Sequence, residues 1–121
     1  MTAFLIAIGG GLGAVLRAVL DAIVPKSESG RYPRSTLLIN LSGSGLLGFV
    51  MGLGAGSLDY DWQRVVGIGV LGGFTTFSTA AVQGAEMILS GEWVPGIIYT
   101  LGMLLGAVGC AAFGLFVGIS L

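Results

Sequence analysis

The sequence predicts an all-α membrane protein of four transmembrane helices, and three observations lead there. Only 9% of its 121 residues are charged, 55% are hydrophobic, and the mean hydropathy is +0.98. A soluble domain averages roughly 25% charged residues, so this chain lacks the polar side chains to wet its own surface. The charges it does have are clustered: Arg17 and Asp21; Lys26, Glu28, Arg31 and Arg34; Asp59, Asp61 and Arg64; Glu86 and Glu92. Between the clusters run apolar stretches of about 20 residues or more, the length of helix that crosses a ~30 Å hydrocarbon layer.

The spans are expected at 2–24, 35–56, 64–89 and 93–119. Helices are preferred to barrel strands because the runs lack the alternation of polar and apolar residues that a membrane strand carries. Trp62 and Trp93 fall at span ends, where indole rings favour the interface. The first span is long and glycine-rich and has no small-residue processing site after it, which sets it apart from a cleaved signal. With short connections and no linker, 1–121 reads as one integral membrane domain.

Composition also narrows the function. There is no histidine, hence no imidazole to act as general base or metal ligand. Cys110 is the single cysteine, a small packing residue without an intrachain disulfide partner. No acidic pair in the spans has metal-ligand spacing. These absences argue against an enzyme, and a net charge of −1 argues against nucleic acid as a partner.

Small residues recur every four positions in two spans: Thr36, Asn40, Ser44, Gly48 and Gly52 in the second, and Gly102, Gly106, Cys110, Gly114 and Gly118 in the fourth. Residues four apart share a helix face, and such stripes let helices approach closely in lipid. The glycines read as packing. Asn40 reads differently, since an amide at mid-span needs a partner or water, and it is assigned a pore or binding role. Four helices give little wall for a polar path, so a dimer about a two-fold axis is expected.

The third span contains GGFTTFSTAAVQ, residues 72–83. Gly72-Gly73 and Thr75-Thr76 weaken helix continuity, which predicts a helix broken at mid-membrane. Freed backbone groups at that depth are tolerated where they line a cavity, face protein or coordinate an ion. Ser78 and Thr79 add hydroxyl donors, and Phe74 and Phe77 add ring edges of partial positive charge. All these groups are electropositive and suit a desolvated anion. The same residues also fit a kinked helix with its hydroxyls bonded back to its own carbonyls and its phenylalanines in the core. Composition and spacing leave both readings open.

The order of the residues brings in a resemblance. GGFTTFSTA is close to the GGFTTFSTF motif of the Fluc family of fluoride channels, also called CrcB-type proteins. Gly9, Gly10, Gly13, Ala14 and Arg17 match that family's first-helix GGxxGAxxR. Thr36, Asn40 and Gly43 match its second-helix pattern, with Ser35 in place of a leading glycine, and Tyr99 matches a fourth-helix tyrosine. The resemblance covers essentially the whole chain. It implies passive, fluoride-selective export from the cytoplasm across the cell membrane, through two pores at the interface of an antiparallel (inverted) dimer. It further implies pore roles for Asn40, Phe77, Ser78, Thr79, Tyr99 and Thr36, and a structural sodium ion (Na+) at the dimer centre on the backbone carbonyls of Gly72 and Thr75.

Departures from the family pattern fall on pore positions: Ala80 replaces the second pore phenylalanine, Ala81 a serine, Gln83 an acidic residue and Met103 a serine. In the family each pore combines the first phenylalanine of one subunit with the second of the other. A homodimer of this chain would lack one ring in each pore, whereas pairing with a homologous subunit would complete one pore with Phe77. Lys26, Arg31 and Arg34 against Arg64 favour a cytoplasmic first loop by the positive-inside rule, and a fixed orientation fits an inverted partner. Arg17 and Asp21, four apart, have the spacing to pair along the first helix; Arg17 is read as an anchor and given no transport role. An alternative function is a proton-coupled exporter of the small multidrug resistance type. Such exporters need a glutamate in the first helix, and this span has none.

Overall fold

In a hydrocarbon layer every backbone N–H and C=O must find its bond within the protein, which turns the apolar runs into helices. The computed structural model describes residues 1–26, 33–56 and 58–121. Glu28, Arg31 and Tyr32 lie outside the described residues. The described helices are α1 Thr2–Ile23, α2 Arg34–Leu53, α3 Tyr60–Arg64, a π-helical stretch Val65–Leu71, α4 Gly72–Phe74, α5 Phe77–Leu89 and α6 Trp93–Ser120. Thr2–Ile23, Arg34–Leu53, Tyr60–Leu89 and Trp93–Ser120 are long and apolar enough to cross a membrane. The protein is a multi-pass membrane protein.

Helix ends differ from the predicted bounds where local chemistry acts. The third helical segment starts at Tyr60 because the Asp59 side chain accepts from the Asp61 N–H at 3.0 Å and caps it. Tyr60, which precedes the expected third span, is therefore helical, with the Arg64 guanidinium 5.5 Å from its ring centroid. After α5 the chain turns through Gly91, whose φ of +89° suits a residue without Cβ.

α2 lies along α6, α1 along Val65–Leu71 and α4, and α5 along α6. Backbone contact at glycine sets these pairings. The place of a Cβ on Gly48 is taken by the Ala111 carbonyl, and that of a Cβ on Gly114 by the Gly45 carbonyl. The α1 seam works the same way, with Gly13 against the Val70 carbonyl and Gly73 against the Gly10 carbonyl. The small-residue stripes are thus largely packing surfaces, as read, although Gly102 faces open space. Ala80, Met87, Tyr99 and Met103 form a buried cluster with Leu37 against it. Large apolar side chains such as Leu105, Phe113 and Phe116 stay exposed, as a lipid-facing surface requires.

Candidate functional site

Between α4 and α5 the backbone leaves the helical region for two residues. Thr75 has φ −81° and ψ 156°, and Thr76 has φ −148° and ψ 110°. An extended pair inside an apolar segment leaves peptide groups without helical partners, and each one buried without a bond carries a desolvation cost. The partner for Thr76 comes from α2. Asn40 Oδ1 accepts from the Thr76 N–H at 2.8 Å, and Asn40 Nδ2 donates to the Thr76 carbonyl at 2.7 Å. The amide pairs both backbone groups of one residue, as a neighbouring strand would. Asn40 is only 7% exposed, so this pairing is shielded from water. The remaining Nδ2 hydrogen faces Met103 Sδ at 3.2 Å.

The hydroxyls divide their work. Thr75 Oγ1 donates back to the Leu71 carbonyl at 3.0 Å, the self-bonded arrangement that the sequence left open. Thr76 does not follow it. Its Oγ1 accepts from the Thr79 N–H at 3.3 Å, which caps α5, and donates to Thr79 Oγ1 at 3.0 Å. Ser78 Oγ lies 3.4 Å from the same hydroxyl. Ser78 and Thr79 are exposed. They sit at the first turn of a 13-residue helix, where unpaired N–H groups carry partial positive charge.

The two phenylalanines also separate. Phe74 is 8% exposed and packs over Gly43, where a Cβ would crowd its Cδ1 and the Thr75 methyl. Phe77 is 75% exposed, with its ring projecting from the start of α5. The extended pair at Thr75–Thr76 redirects the chain between them, so Phe74 takes the core position and Phe77, the ring given a pore role, stays exposed.

On α1 the Arg17 guanidinium donates to the Thr75 carbonyl at 3.2 Å, while Asp21 accepts from Ser35 Oγ. The two side chains, four apart, take different partners. The Thr75 carbonyl lies outside a helical ladder and gives the guanidinium a charge-assisted bond, which fits the reading of Arg17 as an anchor. The carbonyls expected to hold sodium are thus distinct in setting: Thr75 meets Arg17, and Gly72 belongs to the exposed turn of α4.

Thr36 is buried one turn before Asn40, and Tyr99 is 2% exposed. Tyr99 donates its hydroxyl to Gln83 Oε1 at 3.1 Å. Asn40 and Tyr99 therefore bond to Thr76 and to Gln83 of α5 from its packed side, Thr36 is buried on α2, and Phe77, Ser78 and Thr79 lie exposed. Gln83 also lines an open cleft of about 450 Å³ among Asp21, Lys26, Arg34, Glu86 and Glu92.

Sequence reasoning missed the part played by four residues. Thr76 holds the junction through its backbone and caps α5; a threonine followed three residues later by Thr79 at a helix start was the available signal. Gly43 leaves room for Phe74 and Thr75. Met103 and Gln83, noted as departures, turn out to be the acceptors for Asn40 and Tyr99, and nothing in their spacing announces it.

Comparison with known proteins gives one consistent answer. The fluoride-specific ion channel FluC 1 of Leifsonia xyli is 38% identical over 114 residues, covering 93% of this chain and 83% of the relative. The FluC 2 protein of Nitrobacter hamburgensis is 37% identical over 123 residues, covering 100% and 96%. A FluC protein of Thermus thermophilus is 39% identical over 101 residues, covering 83% and 81%. Residues 4–115 match the family described as CrcB-like protein, Camphor Resistance (CrcB). With that match over nearly its whole length, and with relatives 37–39% identical over most of it, this chain belongs to the CrcB family.

Proposed function

We propose that the chain conducts fluoride passively out of the cytoplasm, through a path at the interface of an antiparallel dimer. The observation that carries this reading is the junction at Thr75–Thr76. It falls midway along the 30-residue segment Tyr60–Leu89, so that in a bilayer the break lies near mid-membrane. There it presents a helix N-terminus, two exposed hydroxyl residues and the unpacked ring of Phe77. The relatives' names supply the ion.

Fluoride is small and strongly hydrated, and it sheds water only where donors replace it at close range. The first turn of α5 offers N–H groups and the hydroxyls of Ser78 and Thr79. Phe77 offers a ring edge, and its 75% exposure in the single protomer supports a role completed by a second subunit. Asn40, Thr36 and Tyr99 line the inner side of the same helix. A larger halide would fit such a slot poorly.

On this reading the backbone carbonyls of Gly72 and Thr75 would hold a sodium ion at the dimer centre. The donor class fits, since carbonyls freed at a helix break suit a hard cation. Arg17 already donates to the Thr75 carbonyl and would compete with the ion for that oxygen. When bound, sodium would supply fixed positive charge beside the two breaks.

A second reading is favoured by Ala80, which gives α5 a buried methyl where the family pattern has a ring. On it, the chain is one subunit of a heterodimer with one intact pore. The test is fluoride-electrode efflux from liposomes holding the purified chain alone, or the chain with a relative that carries phenylalanine at the Ala80 position. Fluoride efflux above chloride efflux in either preparation supports a fluoride channel, and its absence from both overturns it. Slow efflux alone and fast efflux with the relative favours the heterodimer, which vigorous efflux from the chain alone rules out.

A further inference from the structure

We infer that Met103 is a built-in stopper on this protomer's inner polar path: its thioether holds the amide hydrogen of Asn40 that a passing anion would need. The inference rests on the fluoride-channel reading and names a residue that sets the rate of conduction.

An asparagine side chain carries two N–H donors and one carbonyl acceptor. In Asn40 all three are engaged. Oδ1 and one hydrogen of Nδ2 hold the Thr76 backbone at 2.8 and 2.7 Å, and the second hydrogen meets Met103 Sδ at 3.2 Å. The first two bonds keep the junction paired and cannot be given up without leaving a half-buried peptide unsatisfied. The third is different, because a thioether is a weak acceptor. It is the one contact of Asn40 that a small anion can take over while the junction stays intact. Met103 is 5% exposed, so while the thioether sits there no water or ion reaches that hydrogen from its side.

Packing shows why a methionine can occupy this place. Ala80 and Met103 belong to one buried cluster. The resemblance pairs a large residue at the first position with a small one at the second, and here the sizes are exchanged. A swap that conserves total volume keeps a core filled, and the small Ala80 leaves room for the longer side chain to lie against Asn40. Methionine is unbranched and flexible, so the stopper can swing aside without unfolding a helix. Tyr99, a second buried donor, likewise bonds to Gln83. Two positions that depart from the family pattern thus provide acceptors for two donors on the inner path.

The test compares the native chain, Met103→Ser and Met103→Ala in liposomes, with fluoride and chloride efflux read on each. Serine is short and polar, and alanine removes the thioether while preserving helix propensity, so one variant remains if the other fails to fold. Fluoride efflux should rise about tenfold in either variant, the change that removing one hydrogen-bond-sized barrier produces, with chloride efflux still at background. A general loss of packing would instead slow both ions or leak both. Fluoride efflux from folded variants no faster than from the native chain overturns the stopper and leaves the channel reading standing, provided that efflux still exceeds that of chloride. If no fluoride leaves any of these preparations, nor the native chain paired with a relative carrying phenylalanine at the Ala80 position, the channel reading falls and the stopper with it.

Discussion

Along α2 and α6 the backbones meet directly, with Gly48 and Gly114 each giving the partner's carbonyl the space of a side chain. Eight residues before Gly48 on the same α2, the approach to α5 is the reverse: a full amide side chain, Asn40, bridges to the Thr76 peptide. Both contacts answer the same solvent. Lipid gives helices no hydrophobic reason to associate, so one seam gains from close packing where side chains are absent. The other gains by supplying bonds that an extended backbone lacks. The first contact makes a rigid scaffold, and the second makes an interruption tolerable. Rigidity at the glycine seam is what lets α2 hold Asn40 in register with Thr76.

The comparison breaks most readily at the seam. Gly48→Leu puts a branched side chain where the Ala111 carbonyl already sits, and it should destabilise the bundle by about 3 kcal/mol or abolish folding. Thermal unfolding and size-exclusion profiles of the purified protein would show this. Asn40→Ala should cost about 2 kcal/mol, because it strands the half-buried N–H and C=O of Thr76, and it should silence fluoride efflux as well. Asn40→Asp sharpens the point: it keeps an acceptor for the Thr76 N–H but turns a donor into an acceptor facing the Thr76 carbonyl. Its added negative charge should depress anion flux beyond its effect on stability.

Smaller effects follow at the edges of the junction. Thr76→Val removes the cap of α5 and should lower stability by about 1 kcal/mol, measurable by thermal unfolding, whereas Thr76→Ser should retain most of it. Gly102→Ala is the quietest change. Its missing Cβ faces open space, so the shift should stay within about 0.5 kcal/mol. A large loss there would show that a partner helix, not lipid, covers that face.

Much of the scaffold was legible because lipid imposes few solutions. Charge clusters marked the ends of spans, and four-residue spacing marked the faces that touch. That the Asn40 amide needs a partner was legible, but the partner is a backbone peptide 36 residues away, beyond any local pattern. Phe74 and Phe77 looked equivalent by composition, yet one is buried and the other exposed, since two extended residues between them change the direction of the chain. Arg17 and Asp21 had helical spacing for a pair and were drawn instead to the Thr75 carbonyl and to Ser35. Spacing along one helix does not say what another helix brings close.

By itself the amino-acid sequence determined the membrane-spanning helices, the small-residue faces and the stretch where helix propensity fails, because these depend on local composition and on the thickness of a bilayer. Only the tertiary structure decided which groups that stretch would meet. Asn40, Arg17 and Met103 come from three different helices: the first two engage backbone groups freed by the extended pair, and Met103 accepts from the Asn40 amide. Their bonds are set by how closely glycine lets those helices approach, a distance that no single segment encodes.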